Sequence, residues 1–103
     1  MLCALTVRRL KPGSWEGFRA AWEPDRWPER LTRAYHVRNL EHPDEVTSFG
    51  FFDMTAEELD RMRDDPEFLR AEAARLERIA PFQDDVLVNG LFEVVEEVTP
   101  PGR

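Results

Sequence analysis

The sequence predicts an α+β fold: a ferredoxin-like βαββαβ arrangement with an antiparallel sheet. Three observations carry that expectation. Four strand-sized and two helix-sized stretches follow one another in the order strand, helix, strand, strand, helix, strand. The loop between the middle two strands is short enough to impose an antiparallel hairpin. The strands also carry apolar residues on both faces, as strands do when both sides of a sheet are covered. A length of 103 residues suits one domain over 1–103, and a chain of that size buries roughly two-thirds of the surface its unfolded form exposes.

Leu2–Leu10 reads as the first strand. Leu2, Ala4 and Thr6 fall on one face and Cys3, Leu5 and Val7 on the other. Lys11-Pro12-Gly13 breaks it. Ser14 is a good N-cap for the first helix, in which Trp15, Phe18 and Trp22 recur on one stripe. Pro24 and Pro28 end that helix and leave Trp27 in an irregular connection. The second strand is expected over 32–40, with Ala34, His36, Arg38 and Leu40 on one face and Arg33, Tyr35, Val37 and Asn39 on the other. Its polarity suits a sheet edge.

Glu41-His42-Pro43-Asp44 is turn chemistry, and the third strand follows over 46–52. Thr55-Ala56-Glu57-Glu58 fits a capping box. Leu59 and Met62 begin an amphipathic helix, which Asp65-Pro66-Glu67 restarts with Asp65 as cap and Pro66 at the first position. Leu69, Ala73, Leu76 and Ile79-Ala80 are its expected apolar stripe, and Pro81 stops it. The fourth strand is expected over 86–98, with Gly90 marking a bulge or kink. Residues 99–103 form a frayed tail.

Composition excludes several function classes. A formal net charge of −7 repels nucleic acid and anionic lipid. Cys3 is the single cysteine, which leaves no intrachain disulfide and no Cys-rich metal site. His36 and His42 do not form a metal pair, since their spacing spans a turn and no carboxylate completes the set. The apolar run before Arg8-Arg9 is too short for a secretory signal. No stretch approaches the ~20 apolar residues of a membrane span, so a cytoplasmic location is the default expectation. Aromatic residues make up 11%, generous for a small core and suggestive of a cavity or an interface.

Right-handed crossovers place the first and third strands in the sheet centre and both helices on one face. The opposite face then carries an apolar row from each strand. Leaving it wet costs several kcal/mol at roughly 25 cal/mol per Å². A two-fold homodimer, sheet against sheet, removes that cost.

This pacing resembles the dimeric α/β-barrel superfamily, and within it the antibiotic-biosynthesis-monooxygenase (ABM)-like domains, from Leu2 to Val98. The carriers are Leu10-Lys11-Pro12-Gly13 with Trp15 and Phe18 after it, Phe52-Asp53-Met54-Thr55-Ala56-Glu57-Glu58-Leu59, Asp65-Pro66-Glu67 and Ala80-Pro81-Phe82. The resemblance implies a homodimer with a pocket in each subunit between sheet and helices. It also implies cofactor-independent oxidation of quinols or aromatic polyketides as one activity among several. The haem-degrading branch uses an Asn on strand one, a Trp near the end of strand three and a His on helix two. Those places fall near Thr6, Phe51 or Phe52, and Arg61 or Met62, and none matches.

His36 is the candidate general base, with Arg38 two residues on and on the same face. A neighbouring cation favours the neutral ring. The alternative is an edge-strand histidine bonded to a neighbour. Arg8 could aim an anion-binding fork into a cavity or snorkel at the strand end. Asn89 could orient a carbonyl or quinone oxygen, or satisfy a kink at Gly90. Trp22, Trp27 and Phe51 are candidate pocket walls, against the plainer role of packing. Cys3 reads as a small buried hydrophobe. His42 reads as a solvated loop residue, and Asp64-Asp65, Asp84-Asp85 and Glu96-Glu97 as solvated charge. Two functional readings stay open: a monooxygenase with His36 as base and Arg38 or Arg8 as oxyanion stabiliser, needing no cofactor or metal, and a non-catalytic ligand-binding or dimerisation module.

Overall fold

The computed structural model describes residues 1–102. Its sheet comprises β1 (Leu2–Leu10), β2 (Leu31–Arg38), β3 (Glu45–Phe52) and β4 (Gln83–Glu93). The strand order is β2-β3-β1-β4, and every pair is antiparallel. Helices α1 (Trp15–Trp22), α2 (Ala56–Arg63) and α3 (Pro66–Ile79) complete it, and a 3₁₀ turn at Ala80–Phe82 leads into β4. The ferredoxin-like order and the central places of β1 and β3 are as the sequence predicts. No helix is long and apolar enough to cross a membrane among the described residues.

Local chemistry explains the boundaries. The Thr55–Glu58 capping box is formed in both directions, and Asp65 Oδ1 accepts from the Glu67 amide at 2.9 Å. Ser14 departs from expectation. It starts α1 with its carbonyl, which accepts from the Phe18 amide at 2.8 Å, and its hydroxyl makes no cap bond. Gly13, at φ 73°, turns the chain so that Ser14 enters at ψ 3° rather than in the extended state a side-chain cap needs.

The β2–β3 hairpin closes earlier than expected. Asn39 leaves the strand and accepts the Glu41 amide on its side chain at 2.9 Å, an Asx-type turn, so Leu40 is solvent-exposed. The fourth strand is shifted toward the N-terminus relative to 86–98. β1 pairs with it from Glu93 as far as Gln83, and the Val94 amide bonds the Met1 carbonyl at 3.0 Å. Its irregularities fall at Leu87 and Asp84, where the register against β1 shifts, and Gly90 stands in register opposite Leu5. The shift sends Val86 to the helix side with Arg8 and Val88 to the other side with Val7. The expected frayed tail over 99–103 has no regular structure through Pro100 and a turn at 101–102; Arg103 lies outside the described residues.

Helix α3 presents a different stripe from the expected one. Ile79 is buried and Phe68, Glu72 and Arg75 are partly buried, whereas Leu69 and Leu76 are 52% and 49% exposed. Ile79 in the core and Arg75 against the Trp22 ring fix the phase of the helix. The leucines, one residue on, are turned about 100° away.

The core is divided in two. Leu10, Phe18, Val46 and Ile79 form one cluster beneath α1 and α3. Leu2, Met54 and Leu59 form another beneath α2. Gly17 lets α1 approach closely, since a Cβ there would collide with the Phe82 ring. The helix-free face is apolar, as the alternation requires. Tyr35 stacks on Phe49 at 5.3 Å between ring centroids, and Tyr35, Val37, Val88 and Phe92 are each about half exposed.

Candidate functional site

Between the two core clusters the helix-facing side of the sheet changes character. One rung, Ala34, Gly50, Ala4 and Leu91, is built mostly of small residues. The next, His36, Ser48, Thr6 and Asn89, is polar across all four strands. His36 Nδ1 and the Ser48 hydroxyl are 2.7 Å apart, and Thr6 Oγ1 donates to Asn89 Oδ1 at 3.2 Å. Small side chains beside hydrogen-bonding ones leave room and supply anchoring groups, the makings of a ligand floor.

His36 stands at one end of the polar rung. Three rings of α1 meet it edge-on, Trp22 at 4.3 Å, Trp15 at 5.4 Å and Phe18 at 5.9 Å. Its Nε2 is buried with no hydrogen-bond partner. Burial, then the positive charges of Arg19 and Arg8, pull the imidazole down from 6.5 to about 4. The ring is therefore neutral at physiological pH, as a base must be. The cations responsible are Arg19 and Arg8 rather than the sequence neighbour Arg38. When Nδ1 donates to Ser48, Nε2 is a bare acceptor; when Nδ1 accepts, Nε2 carries the proton toward the rings.

Arg8 lies one rung further along β1. It is 4% exposed, and its guanidinium sits 5.3 Å from the Phe18 ring centroid. Its Nε and Nη1 are buried without partners. Burial and the nearby Arg75, partly offset by Glu72, lower its pKa to about 10, so it stays charged at neutral pH. Arg75 pairs with Glu72 at 2.6 Å beside it.

Of the residues singled out from sequence, the fold gathers Arg8, Trp22, His36 and Arg38 on the helix-facing side. Arg38 lies over Trp15 at 5.5 Å. With Trp15, His36, Val37 and Val46 it lines a recess of about 250 Å³. Trp27, 47% exposed, meets Trp22 at 6.0 Å and extends that wall outward. Asn89 is on the same face but at the opposite edge, three strand spacings or about 14 Å from the β2 backbone. Phe51 is not part of this face. It pairs with Cys3 on the helix-free side, edge-on to Phe49 and beneath Arg33, because adjacent strand positions alternate. Cys3 is partly buried there, and burial raises its thiol pKa.

Thr6, Ser48, Glu72 and Arg75 were not among the candidates. The alternation that places Arg8 on the helix face also places Thr6 there, but Ser48 required the cross-strand register and Glu72 the phase of α3. Among the described residues no three His, Cys, Asp or Glu side chains are grouped to hold a metal ion.

No family model matches the sequence, and no curated protein matches it. Solved structures do, over nearly the whole chain. A candidate antibiotic biosynthesis monooxygenase from Chloroflexus aurantiacus is 14% identical with a TM-score of 0.64, covering 95% of this chain and 96% of its own. One from Deinococcus radiodurans is 12% identical with a TM-score of 0.64, covering 99% and 100%. An uncharacterized NIPSNAP domain protein from Burkholderia xenovorans is 18% identical with a TM-score of 0.58, covering 98% and 99%. At such identities the likeness is one of fold. This chain has the ABM-like fold, as its resemblance to those domains implies.

Proposed function

We propose that this ABM-like fold serves a homodimer that holds a small aromatic molecule between each sheet and its helices and oxidises it with dioxygen, without a cofactor. The substrate class is a quinol or a polyketide-like phenol. The observation that carries the reading is Arg8, a charged group on a central strand with two buried nitrogens lacking partners. An uncompensated buried charge costs several kcal/mol. A substrate oxygen seated on it removes much of that cost and holds the ring against Trp22 and Trp27. Negative charge that develops on the oxygen is stabilised there.

Loss of a substrate proton makes the ring electron-rich enough to reduce dioxygen. Oxidation of the ring CH₂ of an anthrone-type substrate to C=O consumes one O₂ and releases one water, whereas a quinol oxidised to its quinone reduces one O₂ to hydrogen peroxide. His36 is the proton acceptor in this scheme and Arg38 flanks it at the recess; Asn89 would reach only the far end of an extended substrate. The partner is a second copy, because Tyr35, Val37, Val88 and Phe92 lie half-exposed on a helix-free face, where covering the remaining half of each side chain gains about 1 kcal/mol.

Oxygen uptake with a panel of quinols and anthrone-like phenols tests the reading. Arg8→Gln and His36→Ala should each abolish uptake while the circular dichroism stays native. Unchanged uptake by Arg8→Gln would overturn it. One observation favours a non-catalytic binder instead: an imidazole held at about 4 within three aromatic rings is a weak proton acceptor at neutral pH. Saturable binding of the same panel with no oxygen uptake is the result that reading requires.

A further inference from the structure

Four guanidinium groups are set around one aromatic sleeve. Arg8 stands over Phe18, Arg38 over Trp15, and Arg19 and Arg75 over Trp22, all within 5.3–6.0 Å of a ring centroid. Two of the four have carboxylate partners, Glu23 at 3.7 Å from Arg19 and Glu72 at 2.6 Å from Arg75. Arg8 and Arg38 have none among the described residues. The chain as a whole carries −7, so a cluster with two cations in excess runs against the overall charge balance. The same sleeve encloses His36, whose Nε2 is buried and unpartnered.

We infer that this site is selective for charge: it takes its ligand as an aromatic oxyanion, with the ionised oxygen on Arg8 and the ring on the α1 aromatics, and discriminates against the neutral form. The inference rests on the pocket proposed above and adds the ionisation state it selects. Geometry supports it in three ways. The guanidinium nitrogens without partners are donors only, so the group that satisfies them is an acceptor. A low-dielectric surround strengthens a charge-assisted bond over a neutral one. Flat rings on one side suit a planar ligand, whereas a small hydrated anion would leave them unused.

The test uses 4-nitrophenol, whose ionised form has its own absorption band, and 4-nitroanisole as its neutral counterpart. Bound to the full chain, the phenol should titrate about one pH unit lower or more than it does free, a preference of at least tenfold for the anion. Nitroanisole should bind at least about tenfold more weakly than the phenolate. Arg8→Gln should abolish the shift. Arg38→Gln, on an exposed edge strand where folding is not at risk, should reduce it. Arg9→Gln, one residue on and facing the other way, should leave it intact. Should the bound phenol titrate as the free one does, or nitroanisole bind equally well, the charge selection is overturned while the pocket stands. Binding of neither dye overturns both.

Discussion

Mild acid should destabilise this fold through His36, and replacing that ring should remove the effect. In the folded chain burial, then Arg19 and Arg8, hold the imidazole at about 4 against an ordinary 6.5. As pH falls through 6.5 the unfolded chain takes up the proton, while the folded chain does so only near 4. The unfolded state therefore binds more protons across that window, so stability is full above 6.5 and falls as pH drops toward 4. The interval, 6.5 minus 4, corresponds to about 3 kcal/mol. Solvent reaches part of the ring, and screening reduces this to about 2 kcal/mol.

Urea unfolding at fixed protein concentration, from about pH 7 to about pH 4.5, measures it against His36→Phe. The variant should start about 1 kcal/mol lower, because the Ser48 hydroxyl loses its partner. It should then lose about 2 kcal/mol less than the wild type on acidification. Carboxylate titration affects both chains and cancels in the difference. Parallel profiles, or an NMR titration placing His36 near 6.5, would refute the reasoning.

Other outcomes are open to measurement. In sedimentation velocity the wild type should be a dimer at micromolar concentration and Phe49→Glu, beneath Tyr35 on the helix-free face, a monomer; a monomeric wild type would end the dimer proposal. Gly17→Ala should lower the melting temperature, because collision with Phe82 costs about 1–3 kcal/mol and outweighs the helix-propensity gain of about 1 kcal/mol. Thr55→Ala should cost about 1 kcal/mol in denaturant unfolding, whereas Ser14→Ala, which deletes a hydroxyl with no capping role, should fall within about 0.5 kcal/mol of wild type.

What was legible in the sequence was local or periodic. The caps at Thr55 and Asp65 are read from four and three adjacent residues respectively, and the structure forms both. The order of elements follows from period and punctuation. Ser14 failed because a side-chain cap needs an extended residue, and the turn at Gly13 denies it one. The stripe of α3 failed because apolar spacing does not say which flank turns inward when an ion pair, Glu72 with Arg75, can pack against Trp22. The bulge at Leu87 is a property of two strands together and leaves no mark in either alone. Among the candidate site residues, Arg8 and His36 share the helix face by simple alternation. The same alternation separates Phe51 from Ser48 and Gly50, a signal present in the chain. That Arg8 lacks partners and that Ser48 holds His36 are facts of assembly, beyond the reach of spacing.

The split core bears on how such a chain diverges. Phe18 with Ile79 at one end, and Leu2 with Met54 at the other, hold the helices to the sheet. The strip of His36, Ser48, Thr6 and Asn89 belongs to neither anchor. Substitutions along it leave both anchors in place and cost on the order of 1 kcal/mol, as for His36→Phe, so the strip can change its chemistry at a small cost in stability.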